Sequence, residues 1–222
     1  TIHKEIPSNS GLGGSAAPAA GTAFGLNKIF DLGLSSEDQI RFAAKGEVAS
    51  AGVEHADNVA PALLGGFTIV HDGRVISLNP KNIGIVAVHP NLEVNTKEAR
   101  EIIPESVSMK DHIFSVGSAA MMVAGIMRSD IKIIGESMED RVIEAARQDL
   151  IIGYKEIKSA ALGSGASGVT ISGSGPTVIA VCEIDLRDIV ATAMSDAFRD
   201  YGIDSKAYVT TVGDGVEVLS SY

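Results

Sequence analysis

Apolar and polar positions alternate along this chain with the periods of both strands and helices. Residues 1–7, TIHKEIP, alternate in type up to the proline and predict a short strand. Residues 15–30 carry Ala, Phe, Leu and Ile at helical spacing and predict a first helix. A second helix is predicted to follow Ser36, because this serine and Gln39 three residues later form a capping box. A glycine-rich segment therefore lies between a predicted strand and a predicted helix.

From residue 54 onward, short runs of strand type alternate with longer runs of helical type. A short helix within 54–65 is followed by a hairpin, GGFTIV and GRVISL, around the turn HDG, and a boundary is predicted near residue 80. Beyond it the predicted elements are the strand IGIVAVHP, helices at 96–103, 109–127, 137–147 and 154–162, the strands GVTISG and TVIAVC, a helix at 186–200 and the strand SKAYVTTV. This order predicts a split β-α-β pattern, with an antiparallel sheet and helices on one face, and therefore the α+β class.

Composition and charge narrow the classes of partner. Hydrophobic residues make up 45% of the chain and charged residues 21%, which is typical of a globular protein. The net charge is −10, so no nucleic acid is expected as a partner. No apolar run reaches the roughly 18 residues that a membrane helix needs, and no signal peptide is visible, so a cytoplasmic chain with no membrane partner is predicted. The single cysteine, Cys182, excludes an intramolecular disulfide and a zinc site built on cysteines.

The segment IPSNSGLGGSAAPAAG, residues 6–21, lacks the large side chains that would pack a core. It fits a dinucleotide-binding fingerprint at Gly11, Gly13 and Ala16. That fingerprint requires Asp31 to end a second strand, whereas the pattern here predicts a helix at this position. The segment also fits a structural turn before a buried helix, since glycines serve tight turns without any ligand.

A third interpretation of the same segment is a cradle for an anion such as phosphate. Gly11, Gly13 and Gly14 let backbone N–H groups approach a phosphate, and the helix that follows directs its positive N-terminal end to the same point. Ser15 adds a hydroxyl for a metal ion or a phosphate oxygen. No Lys-Ser or Lys-Thr pair follows, so this is not a P-loop of the Walker type.

Polar residues further along could complete such a site, although each has an ordinary structural explanation. Glu47 could be a solvated carboxylate at a helix end. His55 and Asp57, which stand with Asn58 among small residues in HADNVAP, could form a capping and hydrogen-bond pair. The second glycine-rich segment, GSGASGVTISGSGPT, could be a hairpin turn.

Taken together, these segments resemble one protein family. PSNSGLGGSAA resembles the P-x-x-x-G-L-G-S-S-A-A motif of the GHMP kinases. GVEHADNVAPALLGGFTIV, VAVHPNLEVNTKEAR and GVTISGSGPTVIAVC resemble the homoserine kinases within that superfamily, and HADNVAPALLGG is the most specific part. The resemblance runs from Thr1 to about Tyr208. Gly14 stands where the family has the first serine of a pair, and Pro18 is unusual at its position.

The resemblance implies that ATP lies with its phosphates on the loop 11–15. The implied nucleotide-binding residues are Pro7, Ser10, Gly11, Leu12, Gly13, Gly14, Ser15 and Ala16. Mg²⁺ would bridge the β- and γ-phosphates and be held by Ser15 and Glu47, because hard oxygen ligands and few protein contacts suit this ion.

The resemblance further implies L-homoserine as the small-molecule substrate. Arg100 and Arg147 match positions that bind its carboxylate, for which a fork of N–H donors is well suited, although either arginine alone could be a solvated helix charge. His55 and Asp57 match residues near the amino and hydroxyl ends. The complete implied substrate-binding set is His55, Asp57, Thr96, Arg100, Arg147 and Gly173.

Asn58 stands where many GHMP kinases place an aspartate base beside the reacting hydroxyl. An asparagine cannot accept the proton as a base. Asn58 and its neighbour Asp57 are the implied catalytic residues, and the resemblance implies direct attack of the hydroxyl on the γ-phosphorus, driven by alignment and charge neutralisation.

The implied domains are the remainder of an S5-like ATP-binding domain, residues 1–80, and a ferredoxin-like C-terminal domain, residues 81–222. The family's amino-terminal segment, of roughly 80 residues, precedes the part that matches here. Two functions therefore stay open. One is the ATP-dependent phosphorylation of homoserine in threonine biosynthesis, and the other is a truncated, non-catalytic ligand-binding or structural module. A homodimer is compatible with either.

Overall fold

The computed structural model describes residues 2–51, 54–94 and 98–219, which divide into two compact units. The first unit comprises the residues up to Ser8, Gly13–Asn79 and the stretch from Val212. The second comprises Asn9–Leu12 and Pro80–Thr211. The glycine-rich segment is thus shared between the units: the chain passes to the second unit after Ser8 and returns to the first after Leu12. The assignment of residues 1–80 and 81–222 to two family domains stays a prediction.

Helices and one hairpin form the described part of the first unit. The elements are α1 (Ala16–Ile29), α2 (Ser36–Ala51), α3 (Ala56–Leu64), β1 (Phe67–His71) and β2 (Arg74–Leu78), and the two strands pair antiparallel. The first helix and the hairpin confirm the prediction from the sequence. The buried core uses small side chains, which let helices pack closely: Ala16, Ala20, Ile40, Ala43, Val59, Ala60 and Leu63.

Two predictions for this unit are wrong. Residues 2–7 form no strand, because a strand needs a neighbour for its backbone hydrogen bonds and, among the described strands, β1 and β2 pair only with each other. The cap of α2 is Ser35 rather than Ser36. The Asp38 N–H donates to Ser35 Oγ at 3.1 Å, and Ser35 Oγ donates back to the Asp38 carboxylate at 3.0 Å. The capping box therefore lies one residue earlier than predicted, with Asp38 in the place given to Gln39.

An antiparallel four-stranded sheet forms the centre of the second unit. Its strands are β3 (Gly84–Pro90), β4 (Ala166–Ile171), β5 (Val178–Cys182) and β6 (Ser205–Thr211), in the spatial order β4–β5–β3–β6. Each strand is neighboured by one that runs in the opposite direction. This sheet and the helices around it confirm the α+β class.

The helices of the second unit are mostly as predicted. They are α4 (Glu98–Glu101), α5 (Met109–Arg128), α6 (Ile131–Glu136), α7 (Ile143–Arg147), α8 (Tyr154–Gly163) and α9 (Arg187–Asp200), with short 3₁₀ turns at Gln148–Leu150 and Ile184–Leu186. Helices α8 and α9 pack on the sheet through buried residues such as Ile157, Met194 and Phe198. None of the described helices is long and apolar enough to cross a membrane.

The helix predicted over 137–147 is wrong in its bounds. Helix α6 ends before Ser137, whose hydroxyl donates to the Ile133 carbonyl at 2.7 Å and so closes the last turn. Helix α7 begins later, because Asp140 Oδ1 accepts hydrogen bonds from the Val142 and Ile143 N–H groups at 2.8 and 2.9 Å. The predicted helix is therefore shorter than expected and begins only at Ile143, while α6 lies before the predicted range and was not predicted.

Helix α6 contacts strand β4 at backbone distance. A Cβ atom added to Gly135 would lie 2.1 Å from the Ser167 carbonyl oxygen, and one added to Gly168 would lie 2.4 Å from the Gly135 carbonyl oxygen. The register of β4 against β5 shifts between Ala166 and Gly168, at this same contact. The two glycines therefore allow α6 to approach an irregular part of the sheet edge.

Replacing Gly135 by alanine is expected to destabilise the protein. The added methyl group would overlap the backbone of β4, and overpacking of this kind costs about 1–3 kcal/mol. Gly117→Ala in α5 is the matched control, because nothing lies within 4 Å of its added Cβ. That change should stabilise the helix by up to about 1 kcal/mol. Urea denaturation near neutral pH measures both, and a Gly135→Ala protein as stable as the parent would contradict the close approach.

Candidate active site

The first part of the glycine-rich loop is held by the turn that follows β4. Ser172 Oγ donates to the Gly11 carbonyl at 2.9 Å, and the Thr177 N–H donates to the carbonyl of the buried Ser10 at 3.4 Å. Gly11 has φ +77°, and a Cβ added there would lie 2.1 Å from the Ser172 carbonyl oxygen. Position 11 thus needs glycine both for its left-handed backbone and for the space that Ser172 occupies.

The second part of the loop leads into α1. The Ala17 N–H donates to the Gly13 carbonyl at 3.1 Å, and Ser15 occupies the position before the helix. The first N–H groups of a helix have no acceptor within it, and they carry its positive partial charge. Ser15 does not cap these N–H groups with its side chain. Its hydroxyl donates instead to Glu47 Oε2 at 2.9 Å.

Glu47 projects from α2 and is buried, with 2% of its side chain exposed. This burial contradicts the interpretation of Glu47 as a solvated helix-end charge. Ser15 Oγ and His55 Nδ1, at 2.9 and 3.8 Å, both face the same carboxylate oxygen, Oε2. A buried carboxylate is costly unless it is hydrogen-bonded or paired with a cation. The polar groups around Glu47 therefore offset the cost of burying its carboxylate.

The oxygens of Ser15 and Glu47 fit the demands of a magnesium ion. Two adjacent ligands of an octahedral ion with bonds of about 2.0–2.1 Å are roughly 2.9 Å apart. The separation of Ser15 Oγ and Glu47 Oε2 is 2.9 Å. Within the described ranges no cluster of three or more His, Cys, Asp or Glu residues could hold a metal by itself. A hydroxyl and one carboxylate suit an ion that takes its other ligands from phosphate and water.

The start of α3 brings the next candidates close to this pair. His55 precedes the helix but makes no side-chain capping bond, so the predicted capping role is wrong and the imidazole faces Glu47 instead. Asn58 Oδ1 lies 3.9 Å from the point where a Cβ of Gly13 would be. Asp57 is exposed in the first turn of α3. Helix α3 therefore places the amide of Asn58 at the glycine loop.

In the second unit Arg147 is fixed by two backbone carbonyls. Its Nε donates to the Ala99 carbonyl and one terminal nitrogen donates to the Gly173 carbonyl, both at 2.8 Å. Burial and, next, the positive charge of Arg100 lower the pKa of Arg147, whereas the negative charge of Asp140 raises it. Two guanidinium groups that lie near enough to repel each other make a favourable place for an anion.

The other predicted residues are distributed as follows. Gly173 supplies a carbonyl to Arg147, and its α-carbon faces the Gly11 carbonyl, 3.0 Å from where a Cβ would be. Thr96 lies outside the described residues. Pro7 and Leu12 lie within the loop region, and Ala16 is buried at the start of α1. Gly14 is half-buried, and its α-carbon faces the Pro7 carbonyl.

Sequence reasoning missed Lys4. Its Nζ and Cε lie 3.4 Å from the point where a Cβ of Gly14 would be, so its ammonium group lies over the glycine loop. A signal was present, because Lys4 is a basic residue directly before the loop in a chain with a net charge of −10.

His89 contacts Thr177, which in turn bonds to Ser10 in the first part of the glycine-rich loop. Its Nδ1 lies 3.1 Å from Thr177 Oγ1, and Thr177 is fully buried beside Ser10. Burial lowers the pKa of His89 from its ordinary value of 6.5. The folded protein therefore holds this imidazole in its neutral form at a pH where the unfolded chain takes up a proton.

This shift predicts how stability depends on pH. Below 6.5 the unfolded chain binds a proton at His89 more readily than the folded protein, so the free energy of unfolding falls as the pH decreases through this range. His89→Gln keeps a hydrogen-bonding group and cannot titrate. Urea denaturation at about pH 8 and about pH 5.5 should show a smaller loss of stability in His89→Gln than in the parent. An equal loss in both proteins would show that His89 does not contribute.

Comparison with known proteins gives consistent results over nearly the whole chain. Residues 1–66 match the GHMP kinases N terminal domain, and residues 122–200 match the GHMP kinases C terminal domain. Homoserine kinase of Methanocella arvoryzae is 47% identical over 99% of this chain and 73% of its own length. That of Halorubrum lacusprofundi is 46% identical over 98% of this chain and 74% of its own length.

Solved structures agree with these matches. The crystal structure of homoserine kinase from Cytophaga hutchinsonii superposes with a TM-score of 0.91 at 37% identity, covering 96% of this chain and 69% of that one. Lactococcus lactis galactokinase, crystallised with galactose, has a TM-score of 0.64 at 16% identity, covering 95% of this chain and 68% of that one. The second likeness shows the fold alone.

Proposed function

Because the chain belongs to the GHMP kinase family, and within it to the homoserine kinases, we propose that it transfers the γ-phosphoryl group of ATP to the side-chain hydroxyl of L-homoserine. The product is O-phospho-L-homoserine, an intermediate on the route to threonine. The observation that carries the proposal is the buried Glu47 carboxylate, bonded to Ser15 at the N-terminal end of α1. A buried acid at that position is suited to a cation that accompanies phosphate.

The phosphates of ATP bind on the glycine loop. Backbone N–H groups at the start of α1 and the helix dipole attract the anion, and the small residues let it approach. The nucleotide-binding residues are Pro7, Ser10, Gly11, Leu12, Gly13, Gly14, Ser15 and Ala16. Lys4 adds a positive charge above Gly14. These local groups are needed because the chain as a whole is strongly acidic and repels ATP.

Mg²⁺ is the proposed metal, with Ser15 and Glu47 as its protein ligands. When bound, it neutralises the charge that develops on the phosphates. The protein's own contribution is to hold the hydroxyl and the carboxylate oxygens 2.9 Å apart. His55 Nδ1 lies 3.8 Å from the same carboxylate oxygen.

Charged side chains are the proposed recognition groups for homoserine. Arg147 and Arg100 bind the substrate carboxylate, since a positive pair near each other gains stability from an anion. His55 and Asp57 serve the amino and hydroxyl ends. Thr96 and Gly173 complete the proposed substrate-binding residues, and Gly173 does so through the carbonyl that holds Arg147.

The chemical step is a direct in-line attack. The hydroxyl oxygen of homoserine forms a bond to the γ-phosphorus while the bond from that phosphorus to the β,γ-bridging oxygen breaks, and ADP leaves. The hydroxyl proton passes to an oxygen of the transferred phosphoryl group. Asn58 has no basic group to take this proton. Its amide, close to Gly13, aligns the reactants with help from Asp57.

An activity assay of this chain separates the proposal from its alternative. Formation of ADP and O-phosphohomoserine, followed by coupled assay and by phosphorus NMR, supports catalysis. Binding of ATP and homoserine without turnover would favour a non-catalytic ligand-binding module, and binding of neither would favour a structural one. Sedimentation in the same buffer tests the proposed homodimer.

Glu47→Gln is expected to lower kcat by at least about a hundredfold while the protein stays folded. The amide retains the size of the side chain but loses the charge that holds the metal. Glu37→Gln, an exposed carboxylate in the first turn of the same helix, is the matched control and should behave like the parent. Steady-state rates at saturating Mg²⁺ are compared with thermal unfolding. Normal turnover of Glu47→Gln would remove Glu47 from the site.

Changes at Asn58 test the direct attack. Asn58→Ala should slow turnover by about ten- to a hundredfold through misalignment, and Asn58→Asp should not exceed the parent rate, because a second negative charge would face the γ-phosphate. The parent kcat is expected to be flat from about pH 6 to 9, since no side-chain base titrates there. Asn82→Asp, an exposed site, controls for the added charge. A large gain in kcat for Asn58→Asp would refute the mechanism.

A further inference from the structure

Glu144 is a largely buried carboxylate that the proposed function does not use. It lies in the first turn of α7, three residues before Arg147, and only 11% of its side chain is exposed. One of its oxygens contacts the Lys158 ammonium group of α8. The other accepts a hydrogen bond from the Thr170 hydroxyl of β4 at 3.0 Å. A single carboxylate therefore connects α7 to both a helix and a strand.

The Glu144 carboxylate is packed against Tyr154 and Lys158 of α8. The ring of Tyr154 is buried, with the Lys158 ammonium group 5.9 Å from its centre. Burial and then the negative charge of Glu144 raise the pKa of Tyr154 far above its ordinary value, so this phenol stays neutral. The Tyr154 hydroxyl makes no hydrogen bond of normal geometry to any residue that the structure describes. Lys158 and Thr170 contact the two carboxylate oxygens of Glu144, and Tyr154 lies beside this carboxylate.

Helix α7 needs such anchors because it is short. It has five residues, and a helix of that length has no stability of its own. Its start is fixed by Asp140, which accepts two backbone hydrogen bonds there. Its end carries Arg147, whose guanidinium group donates to the Ala99 and Gly173 carbonyls. The direction of Arg147 therefore depends on how the first turn of α7 is held.

Glu144 and Arg147, at the two ends of α7, both contact the same stretch of chain, which is the end of β4 and the turn after it. Thr170, which donates to Glu144, is three residues before Gly173, which accepts from Arg147. Both ends of one helical turn are thus tied to one short stretch of β4 and its turn. We propose that Glu144 is a positioning residue, which sets the guanidinium group of Arg147 for the carboxylate of the substrate. The proposal rests on the proposed function, since it assumes that Arg147 binds homoserine.

The test compares steady-state kinetics of the parent chain with Glu144→Gln, Thr170→Val and Arg147→Lys. Loss of one charge-assisted hydrogen bond corresponds to about a tenfold change. Each variant should therefore raise the KM for homoserine by about tenfold and leave the KM for ATP within about twofold. Thr170→Val leaves the Glu144–Lys158 ion pair intact, so it serves if Glu144→Gln folds poorly. Glu183→Gln, an exposed carboxylate of the same unit, is the control.

A double-mutant cycle separates positioning from general stability. Glu144→Gln in the Arg147→Lys background should raise the KM for homoserine little further, because the group that Glu144 positions is already gone. Two outcomes would overturn the positioning role of Glu144 but leave the role of Arg147 intact. In one, the increases in KM of the two single variants multiply in the double variant. In the other, KM is raised for Arg147→Lys but normal for both Glu144→Gln and Thr170→Val. A normal KM for Arg147→Lys would overturn both this inference and the assignment of Arg147 in the proposed function.

Discussion

The buried hydrogen bond between Ser15 and Glu47 is the constraint on which the rest of the site depends. It joins the start of α1 to the middle of α2, across a core made mostly of alanine. A carboxylate in such a core would be unstable without partners, and the hydroxyl of Ser15, the imidazole of His55 and the positive end of α1 all face it or lie near it. The close packing of small side chains is what lets the two helices bring these groups together.

The second unit solves a different problem, which is to hold a positive side chain in a fixed direction. The side chain of Arg147 is long and flexible, and ordering it on binding a planar anion would cost conformational entropy. Two backbone carbonyls, of Ala99 and Gly173, accept its hydrogen bonds, and the charge of Arg100 acts on the same guanidinium group. The proposed recognition of the substrate carboxylate would therefore depend on backbone contacts as well as on charge.

The sequence predicted the class of the fold and the order of nearly all its elements, because these follow from local apolar periods. It failed where a longer-range partner decides. Residues 2–7 alternate like a strand, but none of the described strands pairs with them. The helix predicted over 137–147 begins only at Ile143, where Asp140 accepts the first N–H groups. In the site, Glu47 and His55 were identified through a family motif, and the structure shows that they face each other. Glu144 was missed because its contacts join α7 to Lys158 and Thr170, which lie 14 and 26 residues further along the chain.

The contact between Gly11 and Ser172 has a consequence for protein engineering. These residues lie 161 positions apart in the chain, yet the backbone of one occupies the volume that a side chain of the other would need, and the hydroxyl of Ser172 binds the Gly11 carbonyl. A glycine loop grafted onto another scaffold would therefore need the distant serine turn as well. In evolution, the substitutions that either segment can accept are limited by the other segment.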